Sequence, residues 1–264
     1  MVHAELALVT LAGLLTALAT GLGALPFFFL DDVNDRLNVA LWGFASGIML
    51  AASIFGLATE GLAAGGPLAL GVGLAVGVAL VVASDRALSG TEIHPRKYEE
   101  AGFKKLVLIL GVLTVHSFPE GVAIGVSFAD LPLGEGVSVL GLTVPVLAVF
   151  ITGAIAIQNV PEGIAVAIPL QGLGVPRWRM VWWAVFSSLP QPIGAALAYA
   201  FVRTARDFLA VGFGFAAGAM IYLVFSELVP EARSIGRDLP RNGTPELAIG
   251  LFCGVLLMLP VSFV

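Results

Sequence analysis

The stretch KKLVLILGVLTVHSFPEGVAIGVSFA, residues 104–129, decides the fold. As a helix rising 1.5 Å per residue it is long enough to cross the roughly 30 Å hydrocarbon core of a bilayer. Yet its middle reads HSFPEG, residues 116 to 121, and a second apolar run holds QNVPEG at residues 158 to 163. A charged side chain at the centre of a span costs about 2.5–3.5 kcal/mol on insertion scales. Glu120 and Glu162 are therefore expected to face a protein interior or a wet cavity rather than lipid.

The rest of the chain agrees with a membrane setting. Of its 264 residues, 58% are hydrophobic and only 12% charged; the mean hydropathy is +0.99. Soluble domains carry about twice that charge. Apolar runs are too long and too continuous for a transmembrane barrel, whose strands alternate in polarity over about ten residues. The reading is all-α and polytopic, a single transmembrane domain over residues 1–264. Eight spans are expected, near 5–30, 37–60, 66–84, 104–129, 137–170, 178–203, 207–231 and 245–264, the fifth crossing from about residue 144. No basic tract with interleaved aromatics points to nucleic acid. Cys253 is the only cysteine, so no intramolecular disulfide can form. No Lys or Arg precedes Arg36, and the first run reads as a retained helix rather than a cleaved signal.

Lys and Arg set the orientation. With eight spans and the N-terminus outside, eleven of them fall in inner loops: Arg36, Arg86, Arg96, Lys97, Lys104, Lys105, Arg177, Arg179, Arg233, Arg237 and Arg241. Only Arg203 and Arg206 fall outside. Both termini are expected outside a plasma or inner membrane. Two repeats relate spans that cross in opposite directions. FASGIMLAASIFGL (44–57) resembles FAAGAMIYLVFSEL (215–228), and HSFPEGVAIGV (116–126) resembles QNVPEGIAVAI (158–168). Inverted repeats with a midplane site are common in secondary transporters; membrane helices also share a small alphabet and can align by chance.

His116 and Glu120 are four residues apart, as are Gln158 and Glu162. That spacing puts each pair on one helix face. Packed antiparallel, the two faces bring together an imidazole, an amide and two carboxylates, whose two negative charges match one divalent cation. Pro119 and Pro161 remove helical hydrogen bonds to the carbonyls of Val115 and Ile157, so a bent and opened helix is expected at each. Gly121 and Gly163 permit close backbone approach. The competing account is interhelical hydrogen bonding, which suits Ser117 and Asn159 better than it suits two neighbouring carboxylates.

HSFPEG in the fourth span, QNVPEG in the fifth and SELVPEA (226–232) in the seventh resemble the signature helices of the ZIP family of divalent metal transporters, and the likeness extends to its GufA-like branch. The resemblance implies a transporter, not an enzyme, moving zinc, iron, manganese or cadmium toward the cytoplasm. It implies that spans four and five line the path between inverted repeats of spans 1–3 and 6–8. His116, Glu120, Gln158 and Glu162 then match the family's main metal site. At the adjacent second site the family often has Asn after the His, Asp or Asn after the Gln, and Glu in a sixth-span SxxxEP. This chain has Ser117, Asn159 and, within SSLPQP (187–192), Gln191. Two cations held by only Glu120 and Glu162 would repel severely in a low dielectric, so one tightly held metal is expected.

Other positions stay open. The resemblance implies that Glu227 is an exit ligand; with Glu231 it also reads as an ordinary carboxylate at a helix end. Met49 and Met220, at matching places in the repeat, offer soft ligands near the outer mouth or plain packing. Glu92 and His94 in the inner loop could receive released metal or be solvated. Glu60 and Asp130 lie at outer span ends. Gly71, Gly73 and Gly77 give the third span a close-packing face, used within the chain or in a homodimer. The nitrogen and oxygen ligand set without thiolate suits Zn²⁺ and Cd²⁺ among others and argues against Cu(I); no organic cofactor is implied. Two other readings compete: a metal-binding relative that senses rather than transports, and an intramembrane metal-dependent hydrolase. The hydrolase would need three ligands, a water and a base, and no HExxH motif is present.

Overall fold

A computed structural model describes residues 2–30, 33–89, 100–129, 136–139 and 141–260. The described chain is almost wholly helical. In order it forms α1 (Val2–Ala24), α2 (Asp35–Ala51), α3 (Thr59–Ser89), α4 (Glu100–Ser127), α5 (Val146–Gly172), α6 (Arg177–Ser187), α7 (Pro190–Thr204), α8 (Leu209–Leu223), α9 (Val229–Ile235) and α10 (Thr244–Met258). Among the described residues, five helical stretches are long and apolar enough to cross a membrane: His3–Phe28, Asp35–Ala87, Val146–Gly172, Arg177–Thr204 and Arg206–Asp238. Glu92, His94 and Asp130 lie outside the described residues.

The 53-residue stretch Asp35–Ala87 would be about 80 Å long if straight, far beyond a bilayer's thickness. It is not straight. Gly66 takes φ 75°, ψ −179°, open to glycine and closed to other L residues, and Pro67 follows. Gly61 and Gly73 both lie against the first turns of α8, Gly61 beside Ala210 and Phe213 and Gly73 beside Val211 and Gly214. Twelve residues of straight helix would hold them about 18 Å apart, so the chain folds back at Gly66. Gly73 and Gly77 are used within the chain, where a Cβ would strike the α8 backbone; Gly71 faces open space.

Four pairings dominate the packing: α3 on α8, α2 on α10, α4 on α7 and α1 on α5. Each rests on glycines that let backbones touch: Gly43 and Gly47 against α10, Gly250 and Gly254 against α2, Gly121 and Gly125 against α7, Gly163 against α1. In lipid, where no hydrophobic force drives helices together, such small-residue contacts supply dispersion that larger side chains would prevent. α2 runs on through a π turn over Ala52–Ala58, and α8 through another over Val224–Leu228.

The structure bears on three expectations. The fifth helix starts at Val146, close to the crossing expected from about residue 144, and the run before it is drawn into strands Val137–Val139 and Leu142–Val144, which pair Val137 with Val144 and Val139 with Leu142. Alternating β-branched residues favour strands, and Gly141 takes the left-handed turn conformation at φ 80°. The sixth span is two helices, α6 and α7, broken at Ser188–Leu189 ahead of Pro190. Conversely, α4 and α5 run unbroken through Pro119 and Pro161. A proline costs one helical hydrogen bond and a clash, and the helical backbone continues past each of them without the expected opening.

Candidate metal centre

Glu120 and Glu162 come from the middles of α4 and α5 and meet in the protein interior. Glu120 is completely buried and Glu162 is 6% exposed, and the two carboxyls lie close enough to interact. Like charges in contact require a shared proton or a cation. Gly121 and Gly163, one residue beyond each glutamate, mark the closest helix crossings. A Cβ on Gly121 would collide with the Gln191 carbonyl of α7, and one on Gly163 with the Thr20 carbonyl of α1. The small residue after each carboxylate is what brings a third and a fourth helix to the site.

Amides surround Glu120. Gln158 Nε2 donates to Glu120 Oε1 at 2.8 Å, and Gln191 Nε2 donates to Glu120 Oε2 at 2.6 Å. Gln191 Oε1 accepts from Asn159 Nδ2 at 3.0 Å and from Thr16 Oγ1 at 2.8 Å. Asn159 Nδ2 also donates to the Thr16 carbonyl at 2.7 Å. Thr16, Asn159, Gln158 and Gln191 are all fully buried. Thr20 and Ser188 extend this polar seam with a hydroxyl pair at 2.7 Å. Within it, Gln158 Oε1 is buried and has no hydrogen-bond partner, an orphan acceptor beside two carboxylates.

His116 sits one helical turn before Glu120 and turns elsewhere. Its Nε2 lies 2.8 Å from Glu227 Oε1. Glu227 belongs to the π turn Val224–Leu228. With Asp85 of α3 these residues form a group whose ligand atoms all lie within 4.8 Å of one another. Such a cluster of one imidazole and two carboxylates is a chemically suitable divalent-cation site.

The sequence-predicted residues thus divide. Glu120, Gln158 and Glu162 converge, joined by Asn159 and Gln191, while His116 and Glu227 meet a turn away. Ser117 is buried on α4 beside them. Met49 and Met220 are fully buried in the apolar core. Glu231 is exposed and His3 is exposed. Two participants escape the sequence reading. Asp85 falls at the expected start of a loop, although a lone acid one residue before Arg86 at a helix end carries some signal. Thr16 lies on the first helix, where one hydroxyl in an apolar run is ordinary.

A chain of close-packed apolar helices, several long enough to cross a bilayer, around buried carboxylates and an imidazole defines a multi-pass membrane protein with a polar interior. The family model described as ZIP zinc transporter matches residues 84–262, and the chain belongs to that family, whose members are transporters rather than enzymes. It is 37% identical over 254 residues to zinc transporter ZIPB of Bordetella bronchiseptica, covering 91% of this chain and 76% of that protein. It is 31% identical over 262 residues to zinc transporter GufA of Myxococcus xanthus, covering 93% and 96%. To zinc transporter ZIP11 of Xenopus tropicalis it is 38% identical over 147 residues, 54% of this chain and 42% of that protein, so the chain spans less than half the length of that relative.

Proposed function

We propose that the chain carries zinc, and with it related divalent ions such as cadmium, iron or manganese, across the inner or plasma membrane toward the cytoplasm. The cargo is held at one main site by His116, Glu120, Gln158 and Glu162. The observation that carries this reading is the convergence of two buried carboxylates from different helices on one amide seam in which Gln158 Oε1 is left without a partner. One Zn²⁺ answers all three demands: it neutralises the pair, accepts the amide oxygen as a ligand and completes a four-ligand shell with His116. Gln191 is neutral and already donates to Glu120, so a second cation has no charge to offset it.

The cluster of Asp85, His116 and Glu227 gives the ion its next position. His116, on Glu227 in this structure and one helical turn from Glu120, would turn its ring between the two sets and hand the ion from Glu120 and Glu162 to Glu227 and Asp85. Losing the two inward carboxylates while gaining two others keeps the charge balance at each stage, which lets binding be firm without becoming a trap.

Eight spans with both termini outside fit this path, and inverted repeats of spans 1–3 and 6–8 fit the packing. Exchanging those repeats, and α4 with α5, turns the α1–α5 pairing into α6–α7 on α4, and the α2–α10 pairing into α8 on α3. The π turns at Ala52–Ala58 and Val224–Leu228 fall at matching places in the same exchange. Radiolabelled zinc uptake into proteoliposomes tests the function. Saturable uptake that Glu162→Ala abolishes is expected; equilibrium zinc binding without any flux would replace the transporter with a sensor.

A further inference from the structure

We propose that Asn159 and Gln191 select the metal by holding one oxygen of Glu120, so that Glu120 ligates through a single oxygen and the site favours four-coordinate zinc over six-coordinate ions. This rests on the reading of Glu120 as a metal ligand.

The hydrogen bonds run in one direction and cannot be reversed locally. The Thr16 backbone carbonyl can only accept, so the Asn159 amide must turn its NH₂ toward it, at 2.7 Å. The same NH₂ then faces Gln191 Oε1 at 3.0 Å, which fixes that oxygen. Gln191 must therefore present its NH₂ to Glu120 Oε2, at 2.6 Å. Flipping Gln191 would set its oxygen against a carboxylate oxygen and its NH₂ against another NH₂. All three side chains are fully buried, where mismatched polar groups are costly. A short amide-to-carboxylate bond of this kind is among the stronger hydrogen bonds in proteins.

The other oxygen is held differently. Glu120 Oε1 accepts from Gln158 Nε2 at 2.8 Å, and Gln158 Oε1 has no partner to anchor that amide. Gln158 is free to exchange its bond to Glu120 for a bond to a cation. Oε1 is thus available for ligation and Oε2 is not. One atom each from His116, Glu120, Gln158 and Glu162 makes four ligands, the usual number for Zn²⁺. Mn²⁺ prefers six, mostly oxygen, and a chelating Glu120 would supply the next one.

Competition between zinc and manganese for uptake into proteoliposomes tests this, comparing wild type with Gln191→Met, which keeps length but donates nothing, and Asn159→Leu, which removes the anchor of Gln191. The manganese-to-zinc ratio is expected to rise roughly tenfold in Gln191→Met, the worth of one hydrogen bond to a charged group, and to rise less in Asn159→Leu. An unchanged ratio in Gln191→Met with flux retained would overturn the proposal. Glu162→Ala, tested alongside, loses both metals if the underlying site is right, so persistent flux there indicts that reading instead. If neither variant folds, a structure of the zinc-loaded wild type decides. Glu120 bound through one oxygen, with Gln191 still on the other, supports the proposal; chelation through both oxygens overturns it.

Discussion

Replacing Gly163 with alanine should loosen the site without touching a ligand. The new methyl would lie 2.9 Å from the Thr20 carbonyl carbon and 3.1 Å from Gly23 Cα, with the Thr20 carbonyl oxygen closer still. Carbon atoms pack at about 3.5–4.0 Å, so α1 and α5 must separate by about 1 Å locally. The bond from Asn159 Nδ2 to the Thr16 carbonyl, now 2.7 Å, lies one turn away on the same two helices and would stretch beyond hydrogen-bonding reach. Overpacking costs about 1–3 kcal/mol, and a buried polar group left unpaired about 1–3 kcal/mol more. The assay is thermal unfolding in detergent followed by tryptophan fluorescence, at a fixed heating rate. On the same helix, a methyl added at Gly153 would meet nothing within 4 Å, so Gly153→Ala is the control and should be neutral or slightly stabilising. Equal melting temperatures for the two variants would refute the claim that the α1–α5 contact at Gly163 sets the geometry of the site.

Other consequences follow from the same geometry. Asp85→Asn and Glu227→Gln should each slow zinc uptake several-fold while leaving equilibrium zinc binding in place, measured by uptake and by calorimetry on the same preparations. With His116, Glu120 and Glu162 as the proposed ligands, protons would compete with zinc for their lone pairs, so zinc affinity should fall steadily on acidification; affinity independent of pH in a titration series would contradict carboxylate and imidazole ligation. Glu5, nearly buried on α1, accepts from Tyr199 at 3.0 Å and from Arg203, which joins α1 to α7. Glu5→Ala should lower stability by about 1–3 kcal/mol, less than for a fully buried pair because Arg203 remains partly exposed, and thermal unfolding reads it.

The membrane setting and the central carboxylates are legible in the sequence because they are expensive. Glu120 and Glu162 stand out in apolar runs, and the glycine after each points to the close crossings that the structure contains. The i, i+4 pairing is legible too, but it assigns a residue only to a helix face. His116 shares a face with Glu120 and still reaches Glu227, because the ring's direction depends on a third helix that spacing cannot locate. Asp85 is hidden by its position at a helix end, where an acid is ordinary until the fold brings it to His116. The prolines mislead in one respect: the missing N–H of Pro119 and Pro161 predicts an opened helix, and the helices run on through both. The irregular backbone lies instead at Gly66, at Ser188–Leu189 and in the two π turns. Of these only Gly66–Pro67 and the proline-rich SSLPQP advertise themselves in residue type. The role of Gln191 is visible in sequence only as a missing charge; its orientation depends on Asn159 and on a backbone carbonyl of α1.

Counting zinc ions bound at equilibrium tests the central claim most directly. Calorimetric titration of the purified protein should give one high-affinity zinc per chain, lost in Glu162→Gln and retained in Asp85→Asn. Two high-affinity zincs in the wild type, or a site lost with Asp85 but kept without Glu162, would contradict the assignment of Glu120 and Glu162 as the place where the cation is held.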